Sequence, residues 1–562
     1  MDISSSSCST VKLKLLPPVS VHFLGTSSGG GPIVSRNCSS LGVDFGNEIW
    51  LFDAADATLS RLHQSSLRIA NITRLFITHM HADHVLGLVP VLTTVMSGIG
   101  VKSGANERLK ELGTKKQATI NIYGPVGLRK LIRTCLTLTS ATLAGAYAVH
   151  ELIENGQDPS AGCGDADLYT NEAVGMDLYA NDEGVWRDIL PEGNGKGGKG
   201  WSVSAGPIEH RVPSLGYVLQ EPIPRLPLDT ATLIPLLQSN AKQLAALNPP
   251  INHPLSLLSH LTSLPPPPPY TLPSGEVLSP PQPSGAPPRK LVIFGDCAGG
   301  TNNDIFRIMC EDASLLVHEC TNASIPEDIQ KGAKGNQVRS KDLAPSLVEK
   351  RDNELAAEAN GPQHQRPPPP EGVSRDEAKK VEVRKKAQSR GHSTPDEVGS
   401  FSHSIRARRI VVNHFSAMFP SPKYPSSEPF PSILSPVSPF PYPTPYPIPR
   451  SSGPSIPPHP LTHSELHTRL IMQSLADQIN DIWAGGDDDR SAVPARDFMV
   501  MRVPGHELSE SESDDVRCYK RNAREVNRSW TEYGGVWLKR EGEGRVWIGV
   551  GTPDESATVC RP

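Results

Sequence analysis

The sequence predicts an α/β protein made of two packed β-sheets with helices outside them, and three observations carry that reading. Short strand-forming runs recur along the chain, each bounded by Gly, Asp or His. In the early part strand follows strand, and helical patterns come after later strands. The 55 prolines, meanwhile, are gathered in tracts rather than scattered. The strand-like runs are VHFLGT (21–26), EIWLFDA (48–54), RLFIT (74–78), INIYG (120–124), WSVSAGPIEH (201–210), LGYVLQE (215–221), KLVIFGD (290–296), SLLVHE (314–319), RRIVVNH (408–414) and DFMVMRVP (497–504). Helical periodicity marks ATLSRLHQS, HVLGLVPVLTTVM, GLRKLIRTCLTL, TNNDIFRIMCEDA and HSELHTRLIMQSLADQINDIW. A doubly wound sheet would alternate strand and helix from the start, so a sandwich is the expected architecture.

Composition implies less core than 562 residues allow. The chain is 37% hydrophobic and 5% aromatic, and its proline tracts (PPPPP at 265–269, RPPPPEG at 366–372, and 422–460) lack the apolar surface to offset backbone ordering. We therefore expect one domain over 18–504 with long disordered insertions: a Gly/Asp-rich loop at 155–200, an arm-like segment at 222–289, a charged stretch at 325–388 and a Pro-rich stretch at 420–462. Within 222–289 the run TATLIPLLQSNAKQLAAL reads as a helix. The tail 505–562 has no assigned role, although GVWLKR and RVWIGV would pair as a hairpin. The Pro-rich tract has the composition that proline-reading domains bind, but a passive linker is the favoured explanation.

A net charge of −5 excludes a globally basic nucleic-acid binder, so polyanion affinity must be local or metal-borne. Nine cysteines, with no close pair resembling a zinc knuckle, suit a reducing compartment. The expected compartment is the cytoplasm, the nucleus or both, with a mitochondrial address left open. The N-terminal stretch has no long apolar run before Pro17-Pro18, and no apolar stretch in the chain reaches membrane-spanning length. Neither a signal peptide nor a membrane partner is expected.

RLFITHMHADH sets His79, His81, Asp83 and His84 directly after a run that should be buried. A single histidine is ordinarily a satisfied core or surface residue. Four ionisable side chains spaced H-x-H-x-D-H would instead cost several kcal/mol each in desolvation, and a divalent cation removes that cost. Two of them turn to one side of the strand end and two enter the next helix, so one loop can serve two metals. His210, Asp296 and His414 each end an apolar run elsewhere and complete a candidate ligand set.

THMHADH is the signature of the metallo-β-lactamase superfamily. FLGTSS (23–28), LFDAAD (51–56), IEHRVPSLGY (208–217), IFGDCAGG (293–300), LLVHECT (315–321), GHSTPDE (391–397), VVNHFS (411–416) and ARDFMVMRVP (495–504) resemble segments of tRNase Z, in the same order. The single set of motifs is most similar to the short form of that enzyme. This resemblance implies an αββα sandwich and two Zn(2+) per chain. His79, His81 and His210 would hold one ion; Asp83, His84 and His414 would hold the other, with Asp296 bridging. It also implies that Asp83 accepts a proton from the attacking water and that His392 assists departure of the leaving 3′ oxygen. Glu319 is expected to orient a ligand or catalytic histidine. The implied activity is removal of the 3′ trailer from precursor tRNA, leaving a 3′-hydroxyl, by a homodimer. Ser393 or Thr394 can cap a helix after His392, with Pro395 in its first turn and Asp396 and Glu397 at its positive end.

Two departures keep an alternative open. ADAT (55–58) replaces the family's glutamate-bearing segment, with Asp56 in the acidic position. The arm expected between His210 and Asp296 carries Arg225 and Lys242 against Glu221, Asp229 and Glu276, a poor surface for RNA phosphates. The alternative is a phosphodiesterase of the same fold acting on a small or cyclic phosphodiester. Basic runs in EAKKVEVRKKAQSR would either supply the missing charge or form a solvated loop.

Overall fold

The structure, a computed structural model, describes residues 19–96, 115–191, 200–326, 374–422, 463–484 and 492–503, a few single positions excepted, and two strands at 535–540 and 544–549. In chain order its strands are β1 (Ser20–Gly25), β2 (Ser40–Asp44), β3 (Ile49–Phe52), β4 (Ile72–Phe76), β5 (Ile120–Pro125), β6 (Tyr147–Ile153), β7 (Asp177–Tyr179), β8 (Trp186–Leu190), β9 (Ser202–Ile208), β10 (Ser214–Gln220), β11 (Tyr270–Thr271), β12 (Val277–Leu278), β13 (Lys290–Phe294), β14 (Leu315–Glu319), β15 (Ile410–Asn413), β16 (Val493–Pro494), β17 (Val500–Arg502), β18 (Gly535–Arg540) and β19 (Gly544–Gly549). One sheet runs β17-β1-β2-β3-β4-β5-β6-β7 and the other β16-β15-β14-β13-β10-β9-β8. Both are mixed: β3 to β7 and β13 to β16 pair parallel, and the remaining neighbours pair antiparallel.

The strands read as continuous apolar runs because both faces are buried. Successive side chains point to opposite faces. Trp50 and Phe52 of β3 therefore enter the layer between the sheets, while Ile49 and Leu51 face outward under the helices. On the second sheet Leu291 and Ile293 of β13 face inward, and Val292 and Phe294 face outward. Leu62, Leu92, Ile132 and Leu136 cover the first sheet from helices Thr58–Gln64, Leu88–Val95 and Leu128–Thr139. Phe306, Phe401, Leu475 and Trp483 cover the second from helices Asp304–Cys310, Pro395–Ser404 and His463–Trp483. The expected αββα sandwich is what the chain forms. At its centre Phe76 stacks on Phe52 and Tyr123, and Tyr217 ties the sheets together by donating its hydroxyl to Ile77 O at 2.7 Å.

Two expectations need correction. Residues 155–200 are more than a loop, for they supply β7 and β8, one edge strand to each sheet. Val185, Trp186, Ile189 and Leu190 are buried there, and Trp186 Nε1 donates to Leu178 O at 2.9 Å. Short strands between glycines and aspartates give little periodic signal, which hides them; GNGKGGK (193–199) lies outside the described residues. The arm-like segment 222–289 holds more structure than the one helix expected there, which itself divides in two. Helices Thr230–Ser239, Ala241–Ala245 and Ser256–Leu261 and the β11–β12 ribbon enclose a separate leucine cluster of Leu237, Leu244, Leu257, Leu261, Leu272 and Leu278. Leucines at helical spacing outweigh the prolines, which fall mostly in the connections. The expected C-terminal hairpin forms as β18–β19. Most of the charged insertion (327–373) and the tract 423–462, with the expectations of disorder and of a proline-reading partner, lie outside the described residues. Among the described residues no helix is long and apolar enough to cross a membrane.

The neck of the arm is closed by an ion pair. Glu221 leaves β10 and Arg289 enters β13; Arg289 Nη2 and Nε donate to the two Glu221 oxygens at 2.6 and 2.9 Å, and both residues are buried. Removing one partner strands a buried charge. Arg289→Ala is expected to lower unfolding free energy by about 3–5 kcal/mol in denaturant titration. Arg187→Ala, which breaks an exposed, solvent-screened pair with Glu183, should leave the denaturant midpoint nearly unchanged.

Candidate metal centre

The parallel registers bring polar residues that end strands to one rim. Asp53 follows β3, Thr78 and His79 follow β4, His210 follows β9, Asp296 follows β13, Glu319 ends β14 and His414 follows β15. Asp83 and His84 come from the one-turn helix Ala82–Val85 after that rim. The ligating atoms of His79, His81, His210 and Asp296 lie within 4.8 Å of one another, and so do those of Asp83, His84 and His414. Asp296 faces both groups. Its Oδ2 is 3.7 Å from His79 Nε2 and 4.0 Å from His210 Nε2; its Oδ1 is 3.3 Å from His84 Nε2 and 3.1 Å from His414 Nε2. His81 Nδ1 stands 3.0 Å from His79 Nε2 and 3.3 Å from His210 Nε2. All seven residues singled out as ligands in the sequence are thus brought together.

The opposite ring nitrogens are held. His84 Nδ1 meets Asp53 Oδ2 at 2.7 Å, His79 Nδ1 meets Thr78 Oγ1 at 3.1 Å, His414 Nδ1 meets Thr321 Oγ1 at 3.0 Å and His210 Nδ1 donates to Gly391 O at 2.7 Å. Such partners fix the tautomer and aim the other nitrogen inward. Asp53 in turn accepts from Thr78 N and Oγ1 at 2.8 and 2.9 Å. Gly391 is required where it stands: at φ +77° a Cβ would come 2.6 Å from His210 Nδ1.

The donor set fits a divalent cation. Asp83 Oδ2, His84 Nε2 and His414 Nε2 are buried without a hydrogen-bond partner, and all three belong to one group. Burial lowers the pKa of His79, His81 and His210, leaving neutral imidazoles with lone pairs directed at one another. Around His84 the demand is for positive charge. Burial works against its protonation, yet Asp296 and Asp53 push its pKa well above the usual imidazole range. Burial likewise opposes ionisation of Asp83 and Asp296, and the neighbouring histidines hold both well below the usual carboxylate range. A metal ion would satisfy the lone pairs and the carboxylates together.

His392 sits at the edge of this cluster, its Nδ1 3.9 Å from Asp296 Oδ2 and 3.0 Å from Glu319 Oε1. Burial lowers its pKa, but the Glu319 bond and charge outweigh that and raise it. Glu319 is itself fastened by Cys297 N, Ser393 N, Thr321 N and Thr321 Oγ1 at 2.7–3.1 Å. The helix after His392 begins with a Thr394–Glu397 capping box and Pro395 in its first turn, which makes the histidine's placement rigid. An open cleft of about 350 Å³ passes His210, Arg211 and Glu154.

Sequence reading missed Asp53, Thr78 and Thr321. Asp53 was discoverable, because it ends an apolar strand run as Asp296 does. The two threonines carry no such signal. Asp56, at the position where the resemblance expects an acid, is exposed and accepts from Ala57 N at 2.9 Å. Asp53→Ala is expected to weaken metal affinity about 10–100-fold by releasing His84. Competition against a chelator measures it, and an unchanged affinity would remove Asp53 from that role.

Residues 19–97 match the family described as Anti-Pycsar protein Apyc1. Zinc phosphodiesterase ELAC protein 1 of Bos taurus is 28% identical over 409 residues, which cover 71% of this chain and 86% of that protein. Ribonuclease Z of Microcystis aeruginosa is 39% identical over 134 residues, 24% of this chain and 37% of that protein. The crystal structure of human tRNase Z, short form, aligns at 23% identity over 71% of this chain and 93% of that one, with a TM-score of 0.39. By sequence, the chain is a homologue of proteins named ribonuclease Z and zinc phosphodiesterase ELAC protein 1.

Proposed function

We propose that this protein is a zinc-dependent endoribonuclease that removes the 3′ trailer from precursor tRNA and leaves a 3′-hydroxyl. The observation that carries the reading is His392, held by Glu319 beside Asp296, a carboxylate that faces histidines of both ligand groups. His79, His81 and His210 would bind one zinc and Asp83, His84 and His414 the other, with Asp296 between them. Two such ions supply a nucleophile at neutral pH and positive charge for a phosphodiester.

The chain's own residues supply the rest. Asp83 directs its unpartnered Oδ2 at the same space as His84 and His414, 3.5 and 3.6 Å from their Nε2 atoms, and is positioned to take the proton of the attacking water. Glu319 accepts from His392 Nδ1, so Nε2 is the atom left to give a proton to the departing 3′ oxygen. Names of relatives support this substrate, as does the order of the motifs. A homodimer remains the expectation carried by the resemblance.

The second reading, a small or cyclic phosphodiester, is favoured by one observation: the arm is nearly neutral. Glu221 is consumed by Arg289, and Arg225 donates to Pro281 O at 2.6 Å, leaving Lys242 against Asp229 and Glu276.

Purified protein is expected to contain about two zinc ions per chain and to cut a 3′-extended tRNA transcript next to the discriminator base. Hydrolysis of a bis-aryl phosphate without cleavage of that transcript would favour the small-substrate reading, and absence of metal would remove the dinuclear one. Asp83→Ala should abolish turnover of both substrates; undiminished hydrolysis of the aryl diester would show that another group takes the proton.

A further inference from the structure

We propose that the basic end of helix Arg375–Ser389, continued by Arg390 and Arg211, is the surface that holds the phosphate backbone of an RNA substrate beside the metal centre. This rests on the reading of the protein as a nuclease acting on tRNA.

The helix is polar on nearly every side, and Ala387 is its one buried residue. A helix of that kind needs a reason to stay ordered. Here Arg384 Nε and Gln388 Nε2 bind Glu397 Oε1 at 2.6 and 2.8 Å, and Lys380 binds Asp396 at 2.9 Å. Both acids lie in the first turn of the helix that follows His392, so the basic helix is clamped to the segment carrying the candidate proton donor.

Its acids are confined to one end, where Arg375, Lys379 and Lys380 balance them. Asp376, Glu377 and Glu382 lie in the first eight residues, and beyond them come Arg384, Lys385, Lys386 and Arg390 with no acid. Arg384 is used in the clamp. Lys385, Lys386 and Arg390 are exposed and have no side-chain partner among the described residues. Cations at a helix C-terminus complement its dipole. That role needs one or two of them, and it does not explain why the same rim leads into the site.

The path inward is short and rigid. Arg390 N and His392 N both donate to Ala387 O at 3.0 Å, Gly391 N donates to Gln388 O at 2.9 Å, and Gly391 O receives His210 Nδ1 at 2.7 Å. Exposed Arg211 is packed against Gly391, where an added Cβ would come 3.1 Å from its N and Cγ. Exposed cations therefore stand on the helix end and at Arg211, on either side of the Gly391–His210 contact, on a chain whose net charge is −5 and whose arm offers little positive charge. Phosphates neutralised by such cations release counterions, which provides affinity without sequence preference.

The test uses the full chain with zinc, a 3′-extended tRNA transcript, and the triple variant Lys385→Ala/Lys386→Ala/Arg390→Ala. Metal content and thermal melting check its fold. The transcript Kd is expected to rise about tenfold or more at physiological salt, and the slope of log Kd against log[KCl] to fall by about 2–3. The loss should sit in KM rather than kcat, and Lys385→Arg/Lys386→Arg should keep wild-type binding. Wild-type Kd and slope in the triple variant would overturn this inference alone. A wild-type protein that neither binds nor cuts the transcript would instead overturn the nuclease reading.

Discussion

One carboxylate holds two groups of imidazoles in register. Asp296 turns Oδ2 toward His79 and His210 and Oδ1 toward His84 and His414, all within 4.0 Å. So many lone pairs and negative charges, withdrawn from water at the rim of two packed sheets, would repel one another and lose hydration. Their convergence demands a positive charge between them. It also demands that every strand ending at the rim keep its register, since a slip by one residue would turn each ligand to the other face.

The backbone bears part of that constraint. Asp53 and His414 both adopt φ +58°, a left-handed conformation that non-glycine residues disfavour. Each such residue costs roughly 1–3 kcal/mol and persists only where its surroundings over-determine it. Asp53 N is fixed to Phe76 O at 2.9 Å, and its carboxylate holds both Thr78 and His84. Next to His414, Phe415 N is fixed to Thr26 O at 2.8 Å. Behind these positions Phe52, Phe76 and Tyr217 lock the two sheets through ring contacts, so a close-packed core fixes the rim.

The arm and the basic helix divide along the same physical line. The arm has its own leucine cluster and is joined to the sandwich at the Glu221–Arg289 pair, so its fold does not depend on the metal ligands. The helix Arg375–Ser389 has almost no apolar face and stays in place through Glu397 and Asp396. Its position is therefore coupled to His392, and its charges lie where a polyanion reaching the site would pass.

Much of this was legible in the sequence. Apolar runs ending in Asp or His located the ligand-bearing strand ends, and H-x-H-x-D-H marked the turn, because desolvation makes clustered polar groups after a buried strand rare unless they bind something. The Thr394–Glu397 cap was readable from local spacing alone. What sequence could not decide was which back nitrogen meets which acceptor. Thr321, Asp53 and the carbonyl of Gly391 reach their histidines across 93, 31 and 181 residues. Nor could it place β7 and β8, whose short runs count as strands only because a sheet edge is there to pair with them. Local chemistry determined the ligand set; only tertiary packing decided that Asp296 faces both halves and that the charged helix ends beside them, because those relations exist only once distant strands share one rim.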